Sequence, residues 1–188
     1  MGMLDRLFGG RFTQPPPDEP SLSDAAIMRE LYPYKAGLKA FTQNLLARIP
    51  EKEHARLVRR VMRYYSQGAD PASALTEGLL DTDKGQSFEQ LVLLAVDWKG
   101  FDSFEYMAPY FTKAAGIQEL YIYEQADGLT VAQLLVRFDD WLTRFGKRYV
   151  HLNTDGDEYV GFIADADCVD HMIAMARDAG IEVRLETF

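Results

Sequence analysis

The spacing of apolar residues changes near Gly116, and this change constrains the fold more than any other feature of the sequence. Before it, from Ser21 onward, apolar residues recur every three to four positions, as on one face of an α-helix. After it, alternating segments typical of half-buried strands are interleaved with helical segments. The pattern therefore predicts an α+β protein, with a helical subdomain at residues 21–116 and a second subdomain at residues 117–188.

Prolines and glycines divide the helical half into separate predicted helices, which include residues 35–49 and 51–67. Residues 87–90, Ser-Phe-Glu-Gln, match a capping box that would start a helix over the apolar run 91–96. The same run also fits a buried strand, because a short apolar stretch has no diagnostic period. The capping pattern favours the helix. Trp98, just after this run, is predicted to be a core anchor between the two halves.

The C-terminal half has the predicted order strand, helix, strand, strand, helix, strand. Residues 119–124 alternate, a capping box at 130–133 starts a helix that Gly146 ends, and residues 148–153 and 158–164 flank an Asp155-Gly156 turn. A further helix closed by Gly180 precedes a last strand at 181–185. This order is the βαββαβ arrangement of ferredoxin-like folds, with a four-stranded antiparallel sheet and both helices on one face. The helical N-terminal half is expected to pack on this domain.

The first twenty residues are predicted to form a mobile tail, because two adjacent glycines and three consecutive prolines interrupt any helix there. A short amphipathic docking segment is the alternative. Charged residues interrupt the apolar stretch that a signal peptide needs, and no stretch is apolar enough to span a membrane. The single cysteine, Cys168, excludes an internal disulfide and favours a reducing compartment. These features predict a cytoplasmic protein.

The charge is acidic and unevenly distributed. The formal net charge is −9, which argues against general binding to nucleic acid or to anionic membranes. Residues 1–70 carry a net charge of +3 and residues 71–188 a net charge of −12. The basic side chains concentrate on one helical stripe, Arg56, Arg59, Arg60 and Arg63, which would pair with acids of the same chain or hold an anionic ligand. The acidic half would steer a basic protein toward itself.

Motifs that carry catalysis are missing from the sequence. It has no phosphate-binding glycine loop, no dinucleotide fingerprint and no nucleophile elbow. None of the three histidines stands four residues from another, so a helix-borne zinc site is excluded, although a site assembled from distant residues is not. Acidic neighbours disfavour a thiolate at Cys168, which is predicted to be partly buried and unreactive. We therefore expect no enzyme, no catalytic residues, no cofactor and no metal.

The leading functional hypothesis is specific binding of a basic protein partner through the acidic half. The predicted contact residues are acids near the turns of this half and two tyrosines, a residue type favoured at interfaces: Asp139, Asp140, Asp155, Asp157, Glu158, Tyr121 and Tyr123. A small-ligand sensor or an unrecognised enzyme is the alternative, with a cleft between the halves that would use His151, Trp98 and the arginine stripe. A homodimer formed through the open face of the sheet is a third hypothesis.

Two short motifs carry a family resemblance. The stretches Ala95-Val-Asp-Trp-Lys-Gly100 and Asn153-Thr-Asp-Gly-Asp-Glu-Tyr159, the second followed by a helix and a strand, resemble a family of bacterial proteins known only as a domain of unknown function. The resemblance spans roughly residues 25–188 and implies no catalytic residues. By size and charge alone, the chain is also similar to the immunity proteins of bacterial toxin systems, an analogy that does not establish function.

Overall fold

A computed structural model describes residues 30–122 and 128–187 of the chain. The chain divides into two compact units, Met1–Pro33 and Tyr34–Phe188. The described part of the first unit is residues 30–33, of which Glu30 and Leu31 are helical. The predicted mobile tail at residues 1–20 lies outside the described residues. All elements named below belong to the second unit.

The second unit is an α+β structure, as the sequence predicts. Its described residues form six α-helices and four strands, with two short 3₁₀ turns at Phe88–Gln90 and Ala166–Cys168. In chain order the elements are α1 (Lys35–Leu45), α2 (Glu51–Ser66), α3 (Pro71–Leu80), β1 (Leu94–Asp97), α4 (Phe101–Ala114), α5 (Val131–Thr143), β2 (Lys147–Leu152), β3 (Glu158–Asp165), α6 (Val169–Asp178) and β4 (Val183–Arg184).

Local capping explains where α3 and α5 begin. The Asp70 side chain accepts hydrogen bonds from the backbone N–H groups of Ala72 and Ser73, and Pro71 occupies the first turn of α3. At α5 the predicted capping box is present in full. The Gln133 N–H donates to the Thr130 hydroxyl at 3.2 Å, and the Thr130 N–H donates to the Gln133 side chain at 3.0 Å. These reciprocal bonds fix the start of the helix that packs on the sheet.

The four strands form one antiparallel sheet in the order β1-β3-β2-β4. The ferredoxin-like topology is not confirmed, because the first strand is Leu94–Asp97 and not the predicted segment 119–124. Residues 119–122 are not a strand, and the Tyr121 ring instead packs on Phe138 and Trp141 of α5. The sheet therefore takes one strand from the segment that the sequence assigns to the helical half.

Helices cover both faces of this sheet. On one face, Tyr149 of β2 joins a core formed with α4 and α5, in which Phe111 and Phe138 contact its ring. On the other face, Phe162 of β3 packs edge-on against Phe41 of α1 at 5.8 Å. The sheet is thus enclosed over most of its area, and a site has to lie at its ends or edges.

The apolar run before Trp98 is a strand and not the favoured helix. Ser87 makes no side-chain capping bond, and residues 88–90 form only a 3₁₀ turn. The Gln86 side chain instead bonds the backbone of the run, accepting from the N–H groups of Val92 and Leu93 at 2.9 and 3.1 Å. The buried-strand alternative is therefore the right one. The favoured helix was wrong because tertiary pairing with β3 outweighs a local capping pattern.

Candidate functional site

A cavity of about 480 Å³ lies at the end of the sheet where β1 ends and β2 connects to β3. Its walls combine two exposed acids, two aromatic rings, an amide and an imidazole: Asp157, Glu158, Trp98, Tyr159, Asn153 and His151. Concave sites with a few convergent polar groups are the usual form of binding sites. We call this cavity, together with the adjoining exposed Asp155, the hairpin site.

The hairpin between β2 and β3 is held in place by Asn153. Its side-chain oxygen accepts the Asp155 N–H at 3.0 Å, and its side-chain amide donates to Glu182 at 3.1 Å. The Asn153 N–H also donates to the Glu182 carbonyl at 3.0 Å. Asp155 adopts a left-handed backbone with φ of 52°, which Asp tolerates better than most residues. The loop therefore presents its acids from a fixed backbone.

The acids of the hairpin site lack cationic partners within the chain. Asp155, Asp157 and Glu158 are exposed, and none of them forms an ion pair with any residue in the described ranges. Five other acids in the described ranges do form ion pairs, among them Asp165, which bonds both Arg48 and Lys147. The negative charge of the hairpin site is thus left available to a group outside the protein.

Two acids at this site also face each other across neighbouring strands. Asp97 at the end of β1 lies directly opposite Glu158 at the start of β3, and both are exposed. Like charges at directly opposed positions destabilise an antiparallel pair. A cation placed between or beside these carboxylates would remove that repulsion. Asp97 is not among the residues predicted for the site, because strand register cannot be read from one sequence.

Trp98 lies on the surface and is not the core anchor that the sequence predicts. Its side chain is 55% exposed and lines the cavity. The Lys99 ammonium lies 4.0 Å from the centre of its ring, within cation–π range. An exposed indole beside unpaired acids offers both an electrostatic and a π surface to a cationic group.

His151 brings a neutral imidazole to the cavity. The residue is only 3% exposed, and the Tyr149 ring meets it edge-on at 4.7 Å. No side chain or backbone group in the described ranges hydrogen-bonds the His151 ring. Burial lowers the pKa of His151 from 6.5 to about 4, so the ring is neutral at pH 7. A neutral imidazole can accept a hydrogen bond from a ligand that brings an N–H group.

The other predicted contact residues that the structure describes lie outside the hairpin site. Asp139 is largely buried, where its carboxylate accepts hydrogen bonds from two nitrogens of Arg148 and from the Tyr149 N–H, so its role is to fix α5 on β2. Asp140 beside it is exposed. Tyr121 is packed on α5, and Tyr123 lies outside the described residues. Of the six predicted residues that the structure describes, it thus brings together only Asp155, Asp157 and Glu158.

The arginine stripe on α2 is largely engaged within the chain. Arg60 is 8% exposed and bonds the Asp81 carboxylate and the Gly78 carbonyl. Arg56 bonds Glu53 and the backbone carbonyls of Lys84 and Gly85. These contacts hold α2 against α3 and the loop after it. They match the intramolecular interpretation of the stripe and leave Arg59 and Arg63 exposed.

Cys168 is exposed and not partly buried as predicted. A hydrogen bond with Asp167 raises the pKa of its thiol, with further contributions from the charge of Asp167 and of Asp165. This agrees with the expectation that acidic neighbours disfavour the thiolate. Among the described residues, no group of three potential metal-binding side chains comes together.

Comparison with known proteins identifies a family. A family model described as a domain of unknown function (DUF6630) matches residues 39–186, which is most of the chain. The chain belongs to the DUF6630 family. This confirms the resemblance inferred from the two short motifs, both of which lie in the hairpin site or beside it in the DUF6630 domain. No curated protein and no solved structure matches the chain.

In the described part of this DUF6630 protein, no helix combines the length and the apolar character needed to cross a bilayer.

Proposed function

We propose that this protein is a non-enzymatic binding module that recognises a cationic group of a basic protein partner at the hairpin site. One observation carries the proposal: the exposed acids Asp155, Asp157 and Glu158 lie at or next to the cavity that Trp98 lines, and they form no ion pair with any described residue. An immunity protein or an inhibitor that neutralises a basic toxin or nuclease would use a surface of this kind.

The chemistry of the cavity suits a guanidinium or ammonium group. The carboxylates of Asp157 and Glu158 can accept charge-assisted hydrogen bonds, and the opposed pair of Asp97 and Glu158 gains from a cation that relieves its repulsion. The face of the Trp98 ring that Lys99 does not occupy can contact the same cation. His151, neutral at pH 7, adds an acceptor at the cavity wall without adding positive charge.

Long-range electrostatics would support the same partner. Residues 71–188 carry a net charge of −12, and the hairpin site lies in this part of the chain. A field of this sign accelerates the encounter with a basic protein and weakens when salt screens it. Charge therefore acts on the association rate, whereas the cavity acts on specificity.

A small cationic ligand is a second candidate, favoured by one feature. His151 is buried, lines the cavity and has no hydrogen-bond partner in the described chain, which is an arrangement also found in sites that bind small molecules. Such a protein would be a ligand sensor or an enzyme without a recognised motif. A metabolite that co-purifies with the protein, and is lost in a Trp98→Ala variant, would favour this candidate.

Charge reversal at the hairpin should abolish capture of a basic partner. We would compare three baits in a lysate of the source cells: the wild-type protein, the Asp155→Lys/Asp157→Lys variant, and the control Glu77→Lys/Asp178→Lys. The control has the same net charge and alters exposed acids on α3 and α6. A stoichiometric basic protein should bind the wild type and the control, and at least about tenfold less should bind the hairpin variant.

The captured protein would then serve for kinetics. The hairpin variant should associate more slowly than the control and with a weaker dependence on salt. Equal capture by all three baits, or equal association rates for both variants, would remove the hairpin site from the interface.

A further inference from the structure

We propose that the partner binds as an extended segment along the free edge of β1, with an apolar residue about three positions from the basic residue that enters the hairpin site. This inference rests on the proposed function and specifies what kind of partner it requires. It is carried by a second cavity that lies beside the same strand and shares one residue with the first.

The second cavity is an apolar groove of about 330 Å³ next to β1. Aliphatic and aromatic side chains from α3, the 3₁₀ turn, β1 and α4 line it: Leu79, Leu80, Phe88, Leu93, Ala95 and Met107. Phe88 is 47% exposed, and Tyr106, whose ring contacts it at 5.4 Å, is 57% exposed. Exposed apolar surface of this kind, next to polar surroundings, is typical of interaction sites.

Glu158 joins the groove to the hairpin site, because it lines both cavities. Two further exposed acids, Glu89 on the 3₁₀ turn and Glu105 on α4, directly follow Phe88 and precede Tyr106, respectively, in the chain. The two cavities therefore adjoin at Glu158, with an apolar groove on one side and the acids of the hairpin site on the other. The charge of these acids complements a basic segment and not a neutral or acidic one.

The position of β1 explains why the segment should be extended. β1 is an outer strand of the described sheet, and an outer strand can accept a further strand from another chain. The Gln86 side chain occupies backbone groups at residues 92 and 93, just before β1 starts. Beyond this point nothing in the described sheet pairs with the outer side of β1.

The spacing of the two anchors follows from the strand itself. Ala95 lines the groove and Trp98 lines the hairpin site, three positions further along the chain. Trp98 is the first residue of the turn directly after β1, so at about 3.3 Å per residue the separation is at most about 10 Å, which an extended partner covers with about three residues. The apolar anchor in the groove and the basic anchor at Trp98 should therefore be about three positions apart, in either chain direction.

Selection from a phage-displayed library of random eight-residue peptides tests this motif without knowledge of the natural partner. The baits would be the wild-type protein, the groove variant Phe88→Ser, the hairpin variant Asp155→Asn/Asp157→Asn, and the control Val136→Ser. Val136 is also an exposed apolar residue, on α5, and it lines neither cavity. All four substitutions are at exposed positions, so the variants should fold.

The wild type and the control should enrich an Arg or Lys about three positions from an apolar residue, by about tenfold or more over the unselected library. Phe88→Ser should lose the apolar preference and keep the basic one, and the hairpin variant should do the reverse. Enrichment of basic residues alone, unchanged by Phe88→Ser, would contradict a role of the groove in binding and would remain consistent with the proposed function. Enrichment of neither class, or the recovery of no peptide, would count against both.

Discussion

Replacing Gly161 with alanine should lower the free energy of unfolding by about 3 kcal/mol or more. Gly161 lies on β3 directly opposite His151, and the Tyr149 ring crosses over it. An added Cβ would lie 2.4 Å from Cζ of Tyr149 and 2.6 Å from the Val150 carbonyl oxygen. Tyr149 is completely buried and cannot move aside without disturbing the core around it.

Urea denaturation followed by circular dichroism would measure this loss. Gly156→Ala is the matched control, because Gly156 is exposed in the hairpin and its nearest neighbour, the Thr154 hydroxyl, would lie 3.3 Å from the new methyl group. The control should stay within about 0.5 kcal/mol of the wild type. A Gly161→Ala protein as stable as this control would show that Tyr149 does not lie over Gly161.

The second large effect concerns acid and His151. Burial holds the pKa of His151 at about 4 in the folded protein, against about 6.5 in the unfolded chain. The unfolded state therefore binds a proton first as the pH falls. Neutral His151 therefore contributes to the free energy of unfolding, and this contribution is fully present above pH 6.5. It is lost as the pH falls from 6.5 to 4, by about 1.4 kcal/mol per pH unit and roughly 3 kcal/mol in all.

Urea unfolding at pH 7, 6 and 5 would isolate this contribution. Between pH 7 and pH 5 the wild type should lose about 2 kcal/mol more stability than a His151→Gln variant, which has no imidazole to protonate. His171→Gln is the matched control, because His171 is exposed on α6. Equal losses in the wild type and in His151→Gln would mean that His151 is not held neutral by burial.

Features set by short stretches of chain could be predicted from the sequence. The capping box at Thr130 and Gln133 depends on residues three positions apart, and it is present with both of its bonds. The two strands around Asp155 and Gly156 also agree with the prediction within a residue at each end. In each of these cases the atoms that decide the structure are neighbours in sequence.

Features set by distant partners could not be predicted. The sequence predicts Asp139 as an exposed partner contact. In the structure its side chain is largely buried, because Arg148 and the Tyr149 N–H of β2 donate hydrogen bonds to its carboxylate. The strand β1 depends on pairing with β3, more than sixty residues away in the chain, and its local sequence favours a helix. The exposure of Trp98 and the apposition of Asp97 to Glu158 follow from that same pairing.

The spacing of Tyr149 and His151 is a sequence signal for part of the site. The two residues stand two positions apart in a predicted strand, and side chains at this spacing lie on the same face. If Tyr149 on that face is buried, His151, two positions further along the same face, is expected to be buried as well. The end of this strand adjoins the acidic turn, so the alternation of the strand is enough to place an imidazole near Asp157.

The most direct test of the proposed function asks whether a cation, and not merely a polar group, occupies the hairpin site. We would titrate the ¹⁵N-labelled protein with acetyl-arginine amide and, in parallel, with acetyl-citrulline amide, which has nearly the same shape but no charge. Two-dimensional NMR spectra would follow the backbone amides of residues 155–158 and the Trp98 indole N–H. Trp141, the second tryptophan, packs on Phe138 and Phe145 and serves as the internal reference.

We expect saturable shifts at Trp98 and at residues 155–158 with arginine, little change with citrulline, and no change at Trp141. In the same arginine titration, the Asp157→Asn/Glu158→Gln variant should bind with an affinity about tenfold lower, measured from the same signals. Equal shifts with citrulline, shifts at other positions only, or no shift with arginine would contradict the central claim that the hairpin site recognises a cationic group.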